Sequence, residues 1–425
     1  MNDSSWVRKL FLSSAITQGA IYVIRPMITY RALELDASPT TIGFIAAVYA
    51  LFPVLLALTF GRYVGELGEG RFVIIGTFFI GVSATILLFA HSLVVLAIAA
   101  ALSGLSHLAC MVGGQTMVAL KSPPEKYEEL FGRYTFNASL GQMIGPILAT
   151  IVAGSTGVIP KSTASAFALA LALAALAMFP VFSWRNQRPT VTARSHDSGT
   201  LRAAGKLLKK PGIFAAIFTS LAVSSAADIL VVFLPFYGSE KEFSAFSIGV
   251  IISIRAATSM ASRYFLGSLS KRFSAYTLIN ASNVISILAC IAMALAPNPW
   301  VLGAIVFIAG FSLGVGQPLT MTLVSQLTVP EERALAVSTR LTGNRLGQFI
   351  VPAGAGLIAA SAGASAVFIG LAILLAATFL PRVGRGQYPQ ISGFPFIRGS
   401  RIESPFGSRA NPQISWGSTM FVHMR

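Results

Sequence analysis

Apolar residues in this chain run in blocks of about twenty, separated by short polar connections. Long uninterrupted blocks predict helices rather than strands. The pattern places twelve of them, over 10–31, 40–61, 72–90, 93–120, 136–156, 163–184, 213–236, 246–266, 276–296, 300–327, 338–361 and 363–381. At a rise of about 1.5 Å per residue, roughly twenty residues cross the hydrocarbon layer of a bilayer. In lipid a continuous helix satisfies its own backbone groups, so an all-α membrane protein is predicted. The first block runs past Arg25 to Tyr30, too long for a cleaved signal, and is read as the first span.

Composition agrees. Of the 425 residues 54% are apolar and 11% charged, whereas a soluble chain carries about a quarter charged residues. The net charge of +16 would suggest nucleic acid in a soluble protein, but its distribution gives another answer. With both termini in the cytoplasm, 24 of the 31 Lys and Arg fall inside, Arg333 and Arg340 among them. Arg31, Lys161 and Lys241 fall outside. The positive-inside rule therefore predicts a multi-pass protein of the plasma (inner) membrane with cytoplasmic termini and no nucleic-acid partner. Cys110 and Cys290 lie inside apolar segments and read as small core residues.

Four regions are expected. Residues 1–184 and 213–381 form six-helix bundles, and 185–212 a basic cytoplasmic linker. Residues 382–425, rich in Gly, Pro, Ser and Arg, form a disordered tail. Within the linker, Leu201, Ala204, Leu207 and Leu208 share a helical face opposite Arg202, Lys206, Lys209 and Lys210. Such a segment is expected to lie on the anionic inner leaflet.

A shift of 206 residues superimposes the halves. Ile42-Gly43 meets Ile248-Gly249, Gly61 meets Gly267, and Pro124-Glu125 meets Pro330-Glu331. Leu140-Gly141-Gln142 meets Leu346-Gly347-Gln348, and Pro146 meets Pro352. Repeats with an even number of spans are related by an axis along the membrane normal.

Between the second and third spans stands Gly61-Arg62-Tyr63-Val64-Gly65-Glu66-Leu67-Gly68-Glu69-Gly70-Arg71. It resembles the Gly-x-x-x-Asp-Arg-x-Gly-Arg-type loop of the major facilitator superfamily, with Gly61 and Gly68 in register. Gly65 replaces the Asp, and Glu66 is the candidate substitute. In the fifth span Gly141, Gly145 and Pro146 resemble the Gly-x-x-x-Gly-Pro motif of that family's drug–proton antiporters. Ala149 and Thr150 stand where two further glycines would follow. The Arg often found in the fourth span is missing, and Ser103, Ser106 and His107 are the polar residues there. The resemblance implies two bundles around a central cavity lined by spans 1, 4, 7 and 10.

Ionisable groups within spans usually face a cavity or a partner. Asp228, Arg25, Arg255, Arg345 and His107 are such groups, and Gln18 and Gln317 add polar positions on cavity-lining spans. The three arginines and one acid sum to +2, a surplus that favours an anionic or electron-rich substrate. Gly141 and Gly347 are expected at close helix approaches. The function these features imply is secondary transport by alternating access, read as proton-linked efflux of a small organic molecule by a monomer. No phosphate-binding glycine loop, metal-ligand spacing or cofactor motif occurs in the sequence. A membrane-embedded enzyme or a non-transporting sensor are the alternatives. Under the 206 shift Asp228 falls on Tyr22, three residues from Arg25, so their depths differ by about 4.5 Å. An Arg25–Asp228 pair closing the outer gate is therefore predicted.

Overall fold

The computed structural model describes residues 3–123, 126–186, 200–329 and 332–380. The first six helices are α1 (Asp3–Glu34), α2 (Pro39–Leu67), α3 (Glu69–Leu88), α4 (Leu93–Lys121), α5 (Tyr127–Val152) and α6 (Thr163–Phe182). A short helix α7 (Thr200–Leu208) precedes α8 (Ile213–Glu240), α9 (Ala245–Arg272), α10 (Ala275–Ala294), α11 (Pro299–Gln326) and α12 (Arg333–Ala377). Ten of these described helices are long and apolar enough to cross a membrane. Helix α1, with more charge, packs along α5 and α6 as the eleventh. Helix α12 supplies two crossings, because Gly363 (φ 79°, ψ 171°) breaks it. The result is twelve spans in two bundles of six.

That break agrees with the two final helices read from the sequence, since the non-helical Gly363 divides them. Only glycine adopts that φ without strain. The carboxylate of Glu240 caps the new start, accepting from the Ala364 N–H at 2.8 Å. Helix α2 continues six residues past the predicted end at Gly61, and Gly68 (φ 89°) is the turn. The 61–71 segment is therefore mostly helix, not loop. Helix α5 begins at Tyr127 rather than 136. Of the remaining sequence landmarks, Pro124-Glu125, Pro330-Glu331, the linker 187–199 and the tail lie outside the described residues, as do the side-chain surroundings of Gly61 and Glu66.

The 206-residue repeat recurs in the backbone. Ser38 caps α2 and Ser244 caps α9; Ser92 caps α4 and Asn298 caps α11. Each side-chain oxygen accepts from the N–H three residues on, satisfying a donor the helix leaves unpaired. Asp36 and Glu242, also 206 apart, share a left-handed φ of 53° and 57°. The halves meet through α2 against α12 and α5 against α9. A Cβ on Gly43 would fall 2.5 Å from the Pro352 carbonyl oxygen, and one on Gly249 3.0 Å from that of Pro146. These are symmetry-equivalent contacts between backbones.

Helix α7 packs Leu207 against protein. Leu207 is buried in a cluster with Ile213, Ile217, Val324 and Ala336. Lys210 pairs with Glu332 at 2.5 Å. Ala204 and Leu208 are half-buried, while Leu201 and Arg202 have side chains outside the described residues.

Candidate functional site

Along α1 every residue from 17 to 30 is buried, and along α8 every residue from 229 to 238. These stretches lie in the part of the bundle away from the linker, where α1 and α8 contact each other. Between them Arg25 Nη1 donates to Asp228 Oδ1 at 2.7 Å. Arg25 is 8% exposed and Asp228 17%. One turn further out, Thr29 Oγ1 donates to the Val232 carbonyl at 3.0 Å. Both contacts cross between the halves. Beyond the pair, Arg25, Thr29, Tyr49 and Val232 help line a cavity of about 20 Å³. That is room for about one water. At the end away from the linker the halves are also joined backbone to backbone, Ala245 N to Gly157 O (2.8 Å) and Phe246 N to Ser155 O (3.0 Å).

From Arg25 a polar chain leads into the first half. The guanidinium carbon sits 5.0 Å from the centre of the Tyr49 ring and 5.7 Å from that of Tyr22. Such stacking stabilises a cation where water is excluded. Tyr49 Oη and His107 Nδ1 are 2.7 Å apart, and His107 Nε2 lies 2.9 Å from Gln18 Nε2. Gln142 Nε2 completes the chain by donating to Gln18 Oε1 at 3.4 Å. With its ring proton on Nδ1, His107 donates to Tyr49 and accepts from Gln18, so every member is satisfied. Of the predicted residues, Arg25, Asp228, His107 and Gln18 are thus brought together.

The second half arranges its polar groups differently. Gln317 pairs with Ser224 of α8 and accepts from Arg340 Nη2 at 3.1 Å. Arg340 Nη2 also reaches the Gln317 carbonyl (2.8 Å) and Thr320 Oγ1 (3.1 Å). Arg340 is only 4% exposed. Counted on the inner side in the sequence, Arg340 lies two turns into α12, which starts at Arg333, and the polar turn of α11 receives it. Arg345 donates to Gln348 one turn along its own helix at 2.9 Å. Arg255 is 6% exposed, with Nε and Nη2 lacking any partner among the described residues.

The motif glycines have distinct neighbours. A Cβ on Gly141 would collide with the Ala15 carbonyl of α1, and one on Gly145 would fall 2.8 Å from that of Gly19. Gly347 faces Ser225 and Leu221 of α8, which are Gly19 and Ala15 shifted by 206. Pro146 and Pro352 turn their carbonyls to the glycines of the opposite half, as described above. A Cβ added to Gly267 would have no atom within 4 Å, so no close approach explains this glycine.

Three features of the site lie beyond the sequence reading. Tyr49 is an aromatic residue in an apolar block, which carries no signal of its own. Glu34 and Glu240, 206 apart, each tie the first helix of a half to its sixth span, Glu34 accepting from Thr163 Oγ1 at 2.7 Å. Gly104 and Gly310, also 206 apart, admit the carbonyls of Tyr49 and Arg255. The shift that reveals the repeat could have found both of these pairs.

A family model described as Major Facilitator Superfamily matches residues 10–328 and 264–421. The multidrug resistance efflux pump PmrA homolog of Lactococcus lactis is 25% identical over 51% of this chain and 53% of its own length. The chain thus spans about half of that relative. Multidrug resistance protein MdtG of Yersinia enterocolitica is 23% identical over 87% of this chain and 91% of its own. Among solved structures, a mutant form of the nucleoside transporter NupG superposes with a TM-score of 0.73 at 13% identity, covering 89% of this chain and 99% of that one. That likeness concerns the fold. Together with the repeat, the helix-5 motif and the family match over most of the chain, it leads to one assignment: this chain is a member of the Major Facilitator Superfamily of transporters.

Proposed function

We propose that the chain exports a small organic solute by alternating access, driven by protons exchanged at the Asp228 carboxyl. The observation that carries this reading is the Arg25–Asp228 pair, which joins the two halves where α1 and α8 are most deeply buried. Protonating Asp228 removes the charge that holds Arg25 and favours separation of the halves at that end. Arg25 donates to the carboxyl, Tyr49 stacks on Arg25, and His107 follows through Tyr49. The names of the relatives, multidrug resistance and efflux, support export. The charge distribution supports cytoplasmic termini in a plasma (inner) membrane, with a linker at 185–212 between bundles 1–184 and 213–381. A monomer contains every part the mechanism needs.

Reconstitution tests this. Liposomes holding the protein and an internal pH dye receive an outward gradient of benzenesulfonate or of phenyltrimethylammonium. The proposal expects proton movement with one of them, and none with Asp228→Asn. Solute flux that leaves the dye unchanged would remove the proton from the mechanism. For orientation, cysteines at Ser195 and Ser239 should differ in their access to an impermeant thiol reagent in intact cells. Equal labelling would contradict the topology.

A further inference from the structure

Arginine buried in a membrane core is costly, about 2.5–3.5 kcal/mol on insertion scales, and normally meets a partner. Here Asp228 is the acid within the spans, and Arg25 occupies it. Arg31, in the last turn of α1, is half-buried and pairs with Glu34, and the other buried or half-buried arginines, 255, 340 and 345, belong to the second half. Arg340 shows how this fold satisfies a structural arginine: two acceptors from Gln317 and one from Thr320, with only its Nε left over. Arg255 has no comparable set. Its Nε and Nη2 are buried without a partner among the described residues, although nearly all buried polar groups in folded proteins have one.

The repeat explains why. Tyr49 and His107 of the first half correspond to Arg255 and Leu313 of the second. Where Tyr49 meets an imidazole, the second half offers a leucine. Arg255 lies ten residues into α9 and Arg345 twelve residues into α12, about 15 and 18 Å along their helices. Both depths are near the middle of the bilayer, where superfamily substrates bind at the interface of the repeats. Arg345 forms no ion pair among the described residues, and its Nη1 donates to Gln348 Oε1 on its own helix.

We propose that the transported solute is an organic anion, of carboxylate, sulfonate or phosphonate chemistry, whose charged group binds Arg255 with support from Arg345. This rests on the transport reading for its mechanism, but binding can be measured without transport. A planar guanidinium with free Nε–H and Nη2–H matches two oxygens of such a group side by side. The anion also neutralises the surplus positive charge of the second half.

The test uses three ligands of similar shape: benzenesulfonate, neutral benzenesulfonamide and cationic phenyltrimethylammonium. Benzenesulfonate should raise the melting temperature of the detergent-purified protein in a saturable way, and the other two should not. Arg255→Gln should weaken that response at least tenfold. Arg255→Lys, which keeps the charge but not the paired donors, should weaken it less. Arg340→Gln should lower the melting temperature of the free protein and leave the benzenesulfonate response intact. Equal stabilisation by the cation or the amide overturns the proposal, as does an undiminished response in both Arg255 variants. Binding without flux in liposomes would instead sink the transport reading and leave the anion site standing.

Discussion

Tyr49 of the first half lies between His107 and Arg25, and the chain of contacts ends on Gln142 with every group paired. Its counterpart 206 residues later, Arg255, has idle donors in the membrane core. Yet the backbones around them are the same, since Gly104 admits the Tyr49 carbonyl and Gly310 that of Arg255. The comparison separates what a repeat preserves from what it releases. Helix caps, positive-φ turns and glycine contacts recur because both halves share the backbone geometry they serve, even where the residue differs, as with Ser92 and Asn298 or Asp36 and Glu242. Polar side chains inside the bundle carry no such constraint, and each half has its own set. The first half holds a closed network that touches the pair across the halves; the second holds open cationic donors.

The largest effect is expected from the pair. Asp228→Asn or Arg25→Gln should each lower transport more than tenfold in reconstituted liposomes, because removing one partner leaves the other charge buried and uncompensated. Full activity in either variant would detach the cluster from the transport cycle. Next come the glycines. Gly141→Leu meets a fixed carbonyl and should destabilise by about 1–3 kcal/mol, read as a lower melting temperature. Gly347→Leu meets the side chains of Ser225 and Leu221, which can rotate, and should cost less. The reverse order would show that the halves pack differently from this account. His107→Leu copies the second half's chemistry into the first and strands Tyr49 Oη and the Gln18 amide. It should cost about 1–3 kcal/mol for a buried group left unpaired. An unchanged melting temperature would mean water replaces the ring. The smallest effect belongs to Gly267→Ala, which has open space around it and should leave both stability and transport unchanged.

Much of this was legible in the sequence because lipid imposes simple rules. Block length gave the spans, and a single shift gave the repeat. The depth of Arg25 and Asp228 followed from counting residues along helices at about 1.5 Å per step. What the sequence hid depends on neighbours. The restart of a helix at 363 was read from block length, but not that the Glu240 carboxylate caps it. Arg340 resembles a surface charge until Gln317 and Thr320 are seen to receive it. The linker's apolar face was visible, but not that Leu207 would pack against Ile213, Ile217 and Val324.

The central claim is that the Arg25–Asp228 pair holds the halves together at the end away from the linker, and that a proton releases it. Spin labels at His91→Cys and Pro297→Cys report this directly. Both positions are exposed at that end, one in each half, while Cys110 and Cys290 are buried. Electron–electron resonance on the native pair near neutral pH should give a dominant short distance. Asp228→Asn, which imitates the protonated carboxyl, should move a substantial population to longer distances. Identical distance distributions in the two proteins would contradict the account.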